Sequence, residues 1–295
     1  TAAQTSSQSE YDDDHLGMIA NSTLEILTFF NELLPNEPLQ IIQQIEHDTF
    51  WIYRRTLNSD VKSQALKIRD AVAENNEYAI FKTLIGFDGI FEDWEDTFDH
   101  SSGFQKIGEY RTAKAKEFAE NINSQNWSIW RERILKFMTV ESNDLATFPK
   151  FVEFLQFFAE SSPDLAFGLL TKNLDEVDGF TVPLLSELWK GPRRNDLRSL
   201  MLSWIETDIQ LIPITRLFWS NEDVDDELVE LLFSNGVGNS NRELLISLLA
   251  VAASNYSDGG QSPAGWLFIP IIQELTRRKE PGWIHGFWYR KRGEN

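Results

Sequence analysis

From Thr147 onward, apolar helix starts return at a nearly constant interval, and most of them carry a proline. They fall at Phe148-Pro149, at Phe180 followed by Pro183, at Ile209 to Ile212 with Pro213, and at Leu244 to Leu249. Their spacing of roughly 30–33 residues matches that of helical-repeat arrays. Proline suits the first turn of a helix, where the backbone needs no N–H donor. Between these starts lie partner segments with helical periodicity: Pro163 to Leu170, Asp196 to Ile205, Val224 to Phe233 and Pro263 to Leu275. A helical hairpin cannot bury its apolar side alone, so such units must stack and leave an extended surface.

The first half of the chain is helical but less regular. Ser22-Thr23-Leu24-Glu25 reads as a capping box, followed by Leu24, Leu27, Phe30 and Leu34 at three-to-four spacing and a stop at Pro35. A second helix from about Pro38 carries Ile41, Ile45, Trp51 and Ile52, and a third from Val61 to Glu74 carries Ala65, Ile68 and Val72. A fourth starts near Tyr78 and runs into Gly86 to Gly89. Tyr110 to Ile122 follows, and then a segment capped by Asn126 with Trp127, Trp130, Ile134 and Phe137. Strand alternation is missing. Asn235-Gly236 follows a helical run and reads as a helix stop, with Ser240 as the next cap. The expected fold is all-α, a right-handed array of antiparallel helical hairpins. It divides into a flexible acidic linker over 1–15, an irregular helical part over 16–140, a repeat part over 141–279, and a basic aromatic cap or tail over 280–295.

Over roughly 147–279 the helix-pair pattern and proline placement resemble the HEAT- and armadillo-like α-solenoids. The stretches Gly86-Phe87-Asp88-Gly89 through Trp94-Glu95 and Asp144 to Pro149 also look like helical arms of large multidomain bacterial proteins, including signalling or defence NTPases. The resemblance implies a recognition or scaffolding arm whose enzymatic module, if any, lies elsewhere in a longer parent. A start at Thr1 rather than Met, with a polar Ser, Thr and Gln lead-in, fits a piece of such a parent.

A formal charge of -19 repels nucleic acid and anionic membranes unless a local basic patch overrides it. The lack of cysteine excludes disulfides, thiolate metal sites and cysteine nucleophiles. No stretch is apolar enough to span a membrane and no secretory signal leads the chain, so the expected location is cytoplasmic.

Three groups of residues are candidates for contact chemistry. Asp88, Glu92, Asp93, Glu95, Asp96 and Asp99, beside His100, form a dense acidic run interleaved with Phe91, Trp94 and Phe98. Such a run reads first as a solvated acidic face with its aromatics packed inward. It is also a candidate partner patch through Asp88, Glu92, Trp94 and Asp96, or a divalent-cation centre of a hydrolase, although its spacing matches no EF-hand. The second group is the C-terminal alternation of Arg277, Arg278 and Lys279, then Trp283, Phe287, Trp288 and Tyr289, then Arg290, Lys291 and Arg292. It suits a cap on the last repeat, an acidic protein surface, or base stacking. The third is Arg193, Arg194 and Arg198, read as local ion pairs beside Asp196; the run Glu222 to Glu227 is read separately, as favourable charge at a helix start. His47, between Glu46 and Asp48, reads as a surface ion pair. No phosphate-binding loop, Gly-x-Ser-x-Gly elbow or His-Glu-x-x-His motif occurs. The sequence therefore predicts a non-catalytic module, without cofactor or metal, that binds a protein partner or neighbouring domains.

Overall fold

The computed structural model describes residues 13–86, 89–91, 94, 103–144, 146–219, 223–256 and 263–284. These residues form an all-α protein, with no strand among them. The helices are α1 (Asp13–Leu33), α2 (Leu39–Arg55), α3 (Ser59–Ala73), α4 (Asn76–Leu84), α5 (Gly103–Glu120), α6 (Trp127–Met138), α7 (Pro149–Ser161) and α8 (Pro163–Lys172). They continue with α9 (Leu174–Val177), α10 (Thr181–Lys190), α11 (Arg194–Glu206), α12 (Leu211–Trp219), α13 (Asp226–Gly238), α14 (Arg242–Tyr256), α15 (Pro263–Trp266) and α16 (Phe268–Arg277). The chain forms two compact units, residues 1–121 with 140–154 and residues 122–139 with 155–295.

In the first unit, α3 packs against α1 and α2, and α4 packs against α2 and α5. Leu27, Ile42, Ile45, Phe50, Ala65, Ile68, Phe81 and Leu84 fill its core. Asn58 and Asn75 cap α3 and α4, each accepting from backbone N–H groups of the first turn. The expected capping box at Ser22 is not used. Helix α1 runs through it, and the Thr23 hydroxyl donates back to Ile19 O at 2.8 Å. That bond satisfies the hydroxyl inside a helix as well as a cap would. On α2 the inward stripe is Ile42, Ile45, Thr49 and Phe50, whereas Ile41 is exposed. Both stripes have helical spacing, and tertiary packing chooses between them.

In the second unit the helices pack in two successions. Helices α8, α10, α12 and α14 pack in succession, and so do α11, α13 and α15. The two series also pack on each other: α10 on α11, α12 on α11 and α13, and α14 on α13 and α15, with α16 against α14 as well. Pro183, Pro213 and Pro270 each occupy the third position of a helix, and Pro149, Pro163 and Pro263 the first, so no intrahelical bond is lost.

Helices α11, α13 and α16 stop in the same way. Asp208, Ser240 and Lys279 all adopt φ between 52° and 60°, as does Gln210. At the first three, the following N–H reaches five residues back: Ile209 to Trp204 O, Asn241 to Gly236 O and Glu280 to Leu275 O. This is the Schellman arrangement, which usually places glycine where these side chains stand. It corrects two sequence expectations around residue 236. Gly236 lies inside α13, where a Cβ would sit 3.0 Å from Leu245 Cδ2, so its role is close helix packing. The side chain that caps α14 belongs to Asn241, which accepts from Leu244 N at 3.1 Å, and not to Ser240.

Candidate functional site

The polar side chains of the second unit join elements about one repeat apart. At the N-terminal end of α11, Arg194 pairs with both carboxylate oxygens of Asp223, one at 3.0 Å. Arg198 Nε donates to Asp225 Oδ2 at 2.7 Å, and its Nη2 donates to Glu227. Arg193 bridges Asp164 at 2.8 Å and Asp196 at 2.6 Å. These contacts raise the three guanidinium pKa values through hydrogen bonding to carboxylates, and Arg194 lowers that of Asp223 in return. Arg194 and Arg198, read from sequence as a local feature separate from the acidic run, thus pair with Asp223, Asp225 and Glu227 and join α11 to the start of α13. Asp225 also caps α13 by accepting from Leu228 N at 3.0 Å, so the helix-start reading holds for that residue. Asp226 carries the pattern onward by accepting from Ala264 N at 3.2 Å.

The C-terminal ends of the same helices are tied in parallel. Asp208 Oδ1 accepts from Asn235 at 2.5 Å and from Asn239 at 2.9 Å. Arg278 donates to Val237 O at 2.8 Å while Glu274 accepts from Arg277 and Arg278. Those two guanidinium groups hold the Glu274 carboxyl at about 2, well below the usual carboxylate range. In the first series, Thr215 Oγ1 meets Ser247 Oγ at 2.5 Å between α12 and α14.

The first unit holds a buried charged cluster. Glu46 is 3% exposed and sits on the buried face of α2. Its Oε1 accepts from Lys82 Nζ at 2.8 Å, and its Oε2 accepts from Tyr78 OH at 2.6 Å and Ile90 N at 3.3 Å. Lys82 donates a second bond to Ile90 O at 2.8 Å. Burial, followed by the charge and hydrogen bond of Glu46, pushes the Tyr78 phenol far above its ordinary range. A Cβ on Gly89 would fall 2.2 Å from Lys82 Cγ, so only glycine lets the backbone lie on this lysine. The cluster therefore fastens the chain after α4 onto α2. Two more anchors lie beside it. The Phe91 ring has Lys82 Nζ at 5.2 Å and the Arg111 guanidinium at 5.6 Å. Trp94 lies 5.5 Å from the Phe50 ring and 5.7 Å from that of Tyr53.

Trp94 is 3% exposed, which corrects its assignment as a contact residue. Its indole is core, in line with the inward packing expected of the aromatics in that run. Asp88, Glu92 and Asp96, with Asp93, Glu95, Asp99 and His100, lie outside the described residues. Among the described residues, no group of three or more His, Asp or Glu is arranged to hold a metal ion. Trp283 is half-buried and Ile284 exposed, while Trp288, Arg290, Lys291 and Arg292 lie outside the described residues. His47 Nδ1 stands 3.6 Å from Asp48 Oδ1 at the surface, the ion-pair geometry expected of it, and its Nε2 lies 3.1 Å from Trp51 Nε1.

Arg111 is a feature that sequence reading misses. It is 6% exposed, its Nε donates to Thr83 O at 2.8 Å, and its Nη2 has no hydrogen-bond partner. Burial lowers its pKa, and the nearby Glu153 charge acts in the opposite direction. The sequence signal for Glu46 was its place in a stripe with Ile42, Ile45, Thr49 and Phe50. Arg111 offers a similar signal, four residues before the buried Ala115.

The class defined by this fold is an all-α protein with helix pairs tied across an interval near 30 residues. No protein-family model, curated protein or solved structure matches the chain. No helix among the described residues is long and apolar enough to cross a membrane.

Proposed function

We propose that the second unit is an α-solenoid of the HEAT or armadillo kind, serving as a scaffold or recognition module for a protein partner. The parent would be a larger multidomain bacterial protein of the cytoplasm. The observation that carries this reading is the parallel tying of α11 to α13 and of α13 to α15 and α16 at both helix ends. A stack built this way grows by repetition and presents a long surface, the usual basis of partner binding in such folds. The polar clusters also support a non-catalytic role, because Glu46, Asp208 and Arg198 all spend their hydrogen bonds on holding helices together.

The contact element is the C-terminal stretch from Trp283 through Trp288 to Arg290, Lys291 and Arg292. It follows a hairpin that exposes Trp266 and Ile269. Three clustered cations in a chain of net charge -19 favour an acidic partner surface. The test compares partner capture by the native chain and by a variant with Arg290, Lys291 and Arg292 all changed to Glu. The expected result is one saturable protein partner whose retention drops at least about tenfold in the variant. Equal retention contradicts the assignment, and retention abolished by nuclease replaces it with nucleic-acid binding.

A further inference from the structure

Helix α1 leaves a stripe of large apolar side chains in water. Thr23 and Leu27 are buried, and the helix packs against α3. At about 100° per residue, Met18, Phe29 and Ile26 fall within an arc of about 80° on the far side from Leu27. They are 68%, 56% and 41% exposed, respectively. The stripe from Met18 to Phe29 runs about 16 Å, three turns of helix. Glu25 and Glu32 border it within about 40° of Met18, both exposed and neither ion-paired among the described residues. Nine carboxylates and no Lys or Arg precede Arg54 in the chain, so α1 carries neither of these cations.

We infer that this face of α1 docks a basic amphipathic helix of a protein partner. The partner helix lays apolar side chains on Met18, Ile26 and Phe29 and sets Lys or Arg against Glu25 and Glu32. A helix is the fitting occupant because α1 spends its backbone hydrogen bonds internally and offers no edge to an extended strand. The charge selects among the other occupants. A second α1 would bring the same carboxylates into opposition. Helices that lie on membranes carry Lys and Arg on their polar face, and α1 has neither. This surface is opposite in sign to the C-terminal contact stretch proposed above and independent of it, so the failure of either leaves the other standing.

The test is fluorescence anisotropy of the full chain with a labelled Leu/Lys amphipathic peptide of about 14 residues, four helical turns. Saturable binding is expected, and the same peptide with Glu in place of every Lys should not bind. Ile26→Ser with Phe29→Ser should weaken binding at least about tenfold, and so should Glu25→Gln with Glu32→Gln. All four side chains are exposed, so both variants should keep the native melting temperature. Trp266→Ser with Ile269→Ser removes exposed apolar groups of the second unit and should leave the affinity unchanged. No binding by the native chain overturns the inference, as does binding that survives either pair of changes on α1. A native dimer that Ile26→Ser with Phe29→Ser dissociates in sedimentation overturns it too, because the occupant is then a second copy.

Discussion

Arg198 Nε lies 2.7 Å from Asp225 Oδ2, while Asp225 Oδ1 accepts the backbone N–H of Leu228. One carboxylate therefore ties α11 to α13 and also starts α13. The cap contributes about 1 kcal/mol and a partly exposed ion pair about 0.2–1 kcal/mol. Asp225→Ala should consequently destabilise by more than Arg198→Ala, roughly 1–2 against under about 1 kcal/mol. Asp225→Asn keeps the capping oxygen and should resemble the Arg198 variant. Denaturant titration of the three variants checks the order.

Glu46 and Lys82 form a buried pair with their remaining bonds satisfied. Removing one partner strands a charge, so Glu46→Ala should cost about 3–5 kcal/mol. The double variant Glu46→Gln with Lys82→Met removes both charges and should recover a good part of that loss. Urea unfolding gives the values. A double variant no more stable than Glu46→Ala would mean that the charge is not what makes the single change costly.

Tyr78 should remain protonated while exposed tyrosines ionise near pH 10. The folded state keeps this proton after the unfolded state has lost it, so the group leaves stability unchanged below about pH 10 and lowers it above. Alkaline difference absorbance should show a tyrosine step that appears only with unfolding. Tyr78→Phe should remove that delayed step.

Ser240 and Lys279 hold a left-handed conformation that costs a side chain about 1 kcal/mol. Ser240→Gly and Lys279→Gly should each raise the melting temperature. Asp208→Gly should not, because it also removes the acceptor for Asn235 and Asn239. Calorimetry of the three variants separates strain relief from the lost bonds.

The prolines and apolar starts made the second unit legible in the sequence, because Pro149, Pro163, Pro183 and Pro213 are tolerated only in first turns and so mark helix boundaries. Boundaries set by choices between chemically equal groups were not legible. Ser22-Thr23-Leu24-Glu25 can cap a helix or continue one, and either Ser240 or Asn241 can cap α14. The charged contacts were illegible for another reason. Glu46 meets residues 32, 36 and 44 positions away, and Arg198 meets residues 27 and 29 away. Local pattern carries no sign of such pairings. Burial of Trp94 was readable from its apolar neighbours, whereas its packing on Phe50 and Tyr53 required the fold.

The central claim is that helices one repeat apart stand side by side in register, and Thr215 with Ser247 offers the closest test. Their side-chain oxygens are 2.5 Å apart in a chain without cysteine. Thr215→Cys with Ser247→Cys, refolded under oxidising conditions, should form an intramolecular disulfide, since the two side chains are already in contact. Peptide mass mapping should find the two segments joined and no free thiol. Two free thiols, or only bonds between separate molecules, would contradict the stacked register of α12 on α14.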